Sequence, residues 1–215
     1  MFLNAGQQFT AFLNWDDWFA SAQDYDLLVY DDFGELVAFS ENVQSGFQNP
    51  TEAVSFVAPA SGTYHVTILR FAATRNVNLE LFFFVNRDMQ FLVPAGSITI
   101  PADSEDVVAV GATFWADDVI ETFSSLGPTS DGRIKPDLSA PDGVATASFG
   151  NLGTPFFGTS AAAPHVAGAI ALMKSRFGVF TLPQIREILY GRALDRGIAG
   201  NDNTYGHGRL DIIGQ

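Results

Sequence analysis

The apolar residues of this chain follow two different periods, and the period changes near Phe91. Between Gln8 and about Val85 they mostly alternate with polar residues, which is typical of strands with one buried face. Turn-forming residues separate the alternating runs at roughly ten-residue spacing, as expected of short antiparallel strands. The alternation therefore predicts an antiparallel β-sandwich over residues 1–91.

The remainder, residues 92–215, has the pattern of an α/β domain. Val107–Val110 is a short continuous apolar run, which is typical of a parallel strand covered on both faces. The segment Ala161–Ser175 is rich in Ala and Gly and predicts a buried central helix. A capping box at Thr181–Gln184 predicts the start of a second helix, and Gly191 predicts its end.

Composition excludes several classes of function. With 47% hydrophobic and 16% charged residues, the chain is folded and not intrinsically disordered. Its net charge of −13 argues against nucleic-acid binding, because that binding depends on Lys and Arg neutralising phosphates. No apolar run reaches the roughly 18 residues of a membrane span, so we expect no membrane partner. The absence of cysteine excludes disulfides and thiolate metal sites but leaves the compartment open.

Ser160 stands at the start of the predicted central helix. The first N–H groups of a helix have no intrahelical partner and lie at the positive end of its dipole, which favours a developing oxyanion. Pro164 lacks the N–H that would bond the Ser160 carbonyl, so we expect a loosened first turn. On these grounds alone, a capping serine without a catalytic role is the simpler explanation.

The residues from Gly158 to Gly168 read Gly-Thr-Ser-Ala-Ala-Ala-Pro-His-Val-Ala-Gly, a string that resembles the nucleophile motif of the subtilases, the subtilisin-like serine peptidases. Other segments resemble further signatures of that family: Ile100–Ala112, Phe123–Pro141 and Tyr205–Asp211. The resemblance covers about 94–215. It implies the C-terminal half of the α/β subtilisin-like fold, a parallel sheet with a central helix, and a serine endopeptidase that forms an acyl-enzyme on Ser160.

The chain departs from the family pattern at two positions near this motif. Ala161 stands where many members have Met, and an additional Asp142 precedes Gly143 after the Ala-Pro pair. Neither difference removes a reacting group.

The other catalytic groups of the family are absent from the sequence. It contains neither the His-Gly-Thr-His motif nor the Asp-Ser-Gly or Asp-Thr-Gly motif, and its three histidines lie elsewhere. His165 is five residues after Ser160 and so on a different face of the helix. His65 falls on a predicted strand and His207 in a terminal turn. Because no general base is identifiable, we expect the isolated chain to be inactive.

We interpret Met1 as a gene-fragment boundary inside a longer protease, with the Asp, His and oxyanion Asn N-terminal to it. The expected partners are polypeptide substrates and this missing half, and self-association is also expected, because a sheet that lacks strands exposes apolar edges. Two alternatives stay open. One is a split protease; the other is a non-catalytic module, derived from a subtilase, that binds protein or polysaccharide. The family resemblance further implies secretion.

The resemblance also implies residues that contact substrate. Ser125, Leu126 and Gly127 correspond to an edge strand that pairs with an extended peptide. Thr99 falls where subtilisins line the base of the pocket for the residue before the cut, at a position where Gly is common, so we expect a smaller pocket.

The predicted sandwich resembles the pre-peptidase C-terminal domain that occurs beside secreted proteases, on the segments from Asn14 to Asp16, from Asp24 to Asp31 and from Ser61 to Tyr64. Residues 1–91 carry 11 acidic and three basic side chains. Asp24 and Asp26 are candidate ligands for a stabilising Ca²⁺, although solvated turn acids explain them as well. The chemistry itself requires no cofactor.

Overall fold

The computed structural model describes residues 1–84, 89–149, 153–178 and 180–212. The chain divides into two compact units, Met1–Leu92 and Val93–Gln215. The sequence places the boundary between residues 91 and 92. Val85, the last residue of the predicted alternating pattern, lies outside the described ranges.

The first unit consists of antiparallel strands: β1 (Phe2–Leu3), β2 (Gln8–Trp15), β3 (Asp24–Asp31), β4 (Leu36–Ser40), β5 (Thr51–Val57), β6 (Gly62–Ala72) and β7 (Leu79–Phe83). They form a four-stranded sheet in the order β1-β6-β3-β4 and a three-stranded sheet in the order β5-β2-β7. The period-two pattern thus corresponds to two antiparallel sheets.

The core of the first unit follows from alternation on β2, where Phe9, Ala11, Leu13 and Trp15 are all buried. Strand β3 departs from that pattern, because six consecutive residues from Asp24 to Val29 are buried. Two aspartates are therefore enclosed together with the apolar residues of this strand.

The second unit contains β8 (Val110–Phe114), β9 (Leu138–Asp142), β10 (Val144–Ala145), β11 (Pro155–Phe156), α1 (Thr159–Phe177) and α2 (Leu182–Arg192). Strands β8 and β9 are parallel, and β10 and β11 are antiparallel. The core lies where Ala162, Val166 and Ala169 of α1 join Ala112 of β8 and Leu138 of β9.

The strand predicted at Val107–Val110 begins only at its last residue. Side chains hold the preceding backbone instead: Lys135 Nζ donates to the Val107 carbonyl at 3.2 Å, and the Ala109 N–H donates to Asp137 Oδ2 at 2.7 Å. Of this apolar run only Ala109 is buried, and its carbonyl accepts the backbone N–H groups of Asp137 at 2.9 Å and Leu138 at 3.4 Å.

Both predicted helices are present. α1 begins two residues before Ala161 and continues through Pro164 without a break. At the start of α2, Gln184 Oε1 accepts the Thr181 N–H at 2.9 Å, as the capping box predicts. Gly191 was wrongly expected to end this helix, which continues to Arg192. None of the helices in the described ranges is long and apolar enough to cross a bilayer.

Candidate active site

Ser160 lies in the first turn of α1, and its side chain is exposed. Gly158 immediately precedes the helix with a φ of 130°, a backbone conformation that favours glycine. Its carbonyl accepts the N–H groups of Ala161 at 2.8 Å and Ala162 at 3.3 Å. The N–H of Ser160 itself belongs to the first turn, where a helix provides no acceptor. The serine therefore presents a hydroxyl and an uncommitted backbone donor at one helix end.

Asp142, the last residue of β9, is the residue of this site that sequence reasoning passed over. It is fully buried, and its Oδ2 accepts the Gly158 N–H at 2.9 Å. Its Oδ1 is buried and has no hydrogen-bond partner among the described residues. The only sequence signal was its presence as an additional acidic residue before Gly143.

A cavity of about 400 Å³ borders the residues that follow Asp142. Its lining is mostly apolar: Trp115, Gly143, Val144, Ala145 and Pro155. The short β10–β11 ribbon supplies three of these residues, with Ala145 paired to Pro155. This ribbon ends two residues before Gly158 and so leads directly into the turn that carries Ser160.

None of the three histidines is a hydrogen-bond partner of Ser160 in the described structure. His165 Nδ1 lies 2.8 Å from the Ala161 carbonyl of its own helix. The ring of His207 stacks on Tyr190 at a centroid distance of 4.1 Å, and burial lowers the pKa of its imidazole. His65 lies in the first unit, 3.3 Å from Asp32. Each ring has another structural contact, so the described residues provide Ser160 with no identifiable base.

Ser125, Leu126 and Gly127, the predicted substrate-binding residues, lie outside the strands of the described structure. The N–H of Leu126 donates to Ser97 Oγ at 2.9 Å, and its carbonyl accepts the Ser97 N–H at 3.0 Å. The Gly127 N–H donates to the Asn203 carbonyl at 2.9 Å. These internal bonds leave Leu126 and Gly127 without a free backbone donor for a peptide. Substrate binding by Ser125, Leu126, Gly127 and the exposed Thr99 stays a prediction.

A buried polar network joins the elements beneath the site. Lys135 is 3% exposed, and its Nζ lies 2.6 Å from Asp137 Oδ2. Tyr190 of α2 donates to Asp137 Oδ1 at 2.9 Å, and burial together with the nearby Asp137 charge raises the pKa of this phenol. Because every member has a partner, the network anchors α2 to the segment that precedes β9.

The two candidate metal ligands, Asp24 and Asp26, are buried with 5% and 6% exposure. Asp24 Oδ1 has no hydrogen-bond partner among the described residues. Burial, and then the negative charges of Asp24, Glu41 and Glu52, raise the pKa of Asp26. Among the described residues, no group of three or more His, Cys, Asp and Glu is placed to hold a metal ion. A calcium site here therefore stays a prediction.

Comparison with known proteins gives one family. Residues 40–208 match the subtilase family, Peptidase S8. Serine protease AprX of Bacillus subtilis is 32% identical over 137 residues, which cover 54% of this chain and 30% of AprX. Minor extracellular protease Epr of the same species is 33% identical over 122 residues, which cover 55% of this chain and 17% of Epr.

A solved structure extends the likeness to the whole chain. The CspB protease of Clostridium perfringens has a TM-score of 0.67 at 18% identity, over 99% of this chain and 52% of that one. The chain thus spans about half of the solved protein and less than a third of AprX and Epr. The family match includes β8, β9 and α1 with Ser160, and it covers most of the chain. The chain therefore belongs to the subtilase family.

Proposed function

We propose that this chain is the nucleophile-bearing part of a subtilisin-like serine endopeptidase and that Ser160 attacks the peptide carbonyl. The observation that carries the proposal is the exposed Ser160 in the first turn of α1, within the range that matches the subtilase family. The names of relatives such as the minor extracellular protease Epr support secretion of the parent protein. We further propose that the sandwich is a module of the pre-peptidase C-terminal type.

The reaction divides between this chain and groups that it does not provide. Ser160 Oγ forms a bond to the substrate carbonyl carbon while a histidine takes the hydroxyl proton. The backbone N–H of Ser160 donates to the oxyanion, and the histidine then protonates the departing amine. Water then attacks the acyl carbon while the histidine takes its proton, and the acyl group leaves Ser160 as a carboxylic acid when the histidine returns the proton to the serine oxygen. The histidine, its aspartate and a second oxyanion donor must come from other polypeptide.

The exposed side of α1 supports a covering partner. Ala163, Pro164, Ala167, Gly168, Ala171 and Leu172 are all exposed, and Leu172 is 65% exposed. No Asp, Glu, Lys or Arg occurs between Thr159 and Met173. A helix that is apolar on all sides is typical of the interior of a larger domain. We propose that the half of the subtilase domain that holds the other catalytic groups covers this face, and that without it the chain self-associates.

Labelling with a fluorophosphonate tests the proposal, because this probe reacts with a serine hydroxyl that a base has activated. The chain is assayed alone and together with the N-terminal half of a subtilase domain, supplied from its own gene or from a relative. We expect labelling only of the combined protein. Ser160→Ala abolishes it, whereas Ser175→Ala, at an exposed serine of the same helix, retains it.

Two outcomes would contradict the proposal. Labelling that survives Ser160→Ala places the reactive serine elsewhere. A combined protein that is folded but never labels favours the non-catalytic alternative, in which the chain binds protein or polysaccharide and hydrolyses nothing.

A further inference from the structure

The helix that carries Ser160 receives its N-terminal cap from a distant part of the chain. α1 has no acidic residue in its first turn, and no side chain at its own N-terminus forms a cap hydrogen bond. The carboxylate of Asp142 supplies one instead, at 2.9 Å from the N–H of Gly158. A carboxylate at this end also lies in the favourable field of the helix dipole.

We propose that Asp142 is a positioning residue for the nucleophile: through Gly158 it fixes the direction of the Ser160 backbone N–H and hydroxyl. The inference rests on the proposed function of Ser160 and adds to it a residue outside the expected catalytic set. Asp142 contacts neither substrate nor reacting atoms in this account, and it acts only through the turn.

The contacts of Gly158 show how the effect is transmitted. Asp142 holds its N–H, and the N–H groups of Ala161 and Ala162 hold its carbonyl. Both polar groups of one residue are thus fixed, and only Thr159 separates that residue from Ser160. Because an oxyanion donor must point at the developing charge, a small rotation of this turn reduces transition-state stabilisation.

The backbone around Asp142 is held by hydrogen bonds and by close contacts with aromatic rings. Its carbonyl accepts the Trp115 N–H at 3.2 Å, and the next residue, Gly143, donates to the Phe156 carbonyl at 3.0 Å. A Cβ on Gly143 would lie 2.9 Å from the rings of Phe114 and Phe157. The close approach of these rings leaves the backbone beside Asp142 little freedom, so its carboxylate is a fixed reference for the Gly158 turn.

The burial of Asp142 indicates that more than a simple cap is being maintained. A fully buried carboxylate, one of whose oxygens has no hydrogen-bond partner among the described residues, is unfavourable for stability, and the helix dipole only partly offsets that effect. Residues that reduce stability in this way are common at functional sites, where geometry matters more than stability.

The test uses the combined enzyme, with the chain and the half-domain that supplies the histidine. Fluorophosphonate labelling of Ser160 is measured as a second-order rate per folded molecule for Asp142→Ala, Asp142→Asn and Asp142→Glu. We expect Asp142→Ala to lower the labelling rate by about 100-fold, a loss typical of a misdirected catalytic group. Asp142→Asn keeps an acceptor at the same distance, so its labelling rate should stay within about threefold of the unaltered enzyme. Asp142→Glu keeps the charge but displaces the oxygen, so its labelling rate should fall by about tenfold or more.

With a peptide substrate, we expect kcat to fall and KM to stay nearly constant, since Asp142 does not touch the ground-state peptide. Asp202→Ala is the matched control, because Asp202 is also buried and accepts the N–H groups of Ile198, Thr204 and Tyr205 away from Ser160. We expect this control to lower the unfolding temperature and to leave the labelling rate per folded molecule unchanged.

The outcomes separate this inference from the function on which it rests. If the unaltered combined enzyme does not label, the proposed function fails. If it labels, and the Asp142 variants label at the same rate per folded molecule, only the positioning role is overturned. Should Asp142→Ala not fold, the pair Asp142→Asn and Asp142→Glu decides, because positioning predicts different rates and a purely structural role predicts equal ones.

Discussion

The central strand β2 of the first unit and the central helix α1 of the second differ in how they are covered. In the first, every inward residue of β2 from Phe9 to Trp15 is buried, and even the core carboxylate Glu52 is bonded by Ser40, Asn42 and Gln44. In the second, α1 is buried on one side and leaves Leu172 and its small apolar neighbours exposed. Strand β2 thus has a fully covered inward face, whereas α1 has an apolar face that the described structure leaves uncovered.

This difference follows from how the two kinds of sheet enclose a core. A sandwich of two sheets encloses its core with local antiparallel pairs, so a limited length of chain suffices. A parallel α/β sheet needs helices on both faces and strands from distant parts of the chain. Under the proposed function, the exposed face of α1 and the missing base for Ser160 have one explanation, because the other half of the subtilase domain supplies both.

The largest expected effect on stability is in the first unit. Leu13 is 1% exposed, and Leu13→Ala removes buried volume, so we expect the free energy of unfolding of this unit to fall by about 2–5 kcal/mol. Leu172→Ala, at 65% exposure, should change stability by no more than about 0.5 kcal/mol in the chain alone. Urea unfolding followed by Trp fluorescence measures both. Equal losses at the two positions would contradict the contrast between the units.

Much of this arrangement could be read from the sequence, and the missed parts share a physical cause. Alternation identified β2, β6 and β7 of the first unit, and the small residues of α1 identified its helix, because these are local periodic signals. Hydrogen bonds between distant residues were not accessible in this way. Ser97 with Leu126, Asn203 with Gly127, and Asp142 with Gly158 each join positions far apart in sequence. The internal hydrogen bonds of Leu126 and Gly127 and the external cap of α1 therefore emerged only from the structure.

The next effect concerns the uncovered helix face. Leu172→Glu places a carboxylate where we propose that the other half of the domain packs, and burial of an unpaired charge is strongly unfavourable. We expect about 100-fold weaker association with that half, a change of about 2.7 kcal/mol, and a matching rise in the concentration needed to label Ser160. The chain alone should stay folded and associate less with itself.

Phe33→Glu is the control for this variant, because Phe33 is 91% exposed and lies in the turn after β3 of the first unit. It should leave the association unchanged. If Leu172→Glu associates and labels like the unaltered chain, α1 is not the covered surface, and the contrast between the covered strand β2 and the uncovered helix loses its functional meaning.

The smallest expected effect tests whether Asp24 and Asp26 bind calcium or are buried without compensation. The folded state raises the pKa of Asp26 above its ordinary value of 3.8, mainly by burial, so it binds the proton more tightly than the unfolded chain does. The Asp26 carboxyl group therefore stabilises the folded state below its ordinary pKa, and this stabilisation is lost as the pH rises through the raised pKa. Above the raised pKa the ionised side chain is destabilising, so Asp26→Asn should raise the unfolding temperature in EDTA, and this gain should shrink as the pH falls through that pKa. The exposed Asp32, which pairs with His65, provides the control, since Asp32→Asn should show no such gain.

Millimolar Ca²⁺ gives the decisive comparison. A calcium site would stabilise the unaltered chain and reverse the benefit of Asp26→Asn, whereas two uncompensated carboxylates would leave the ranking of the variants unchanged.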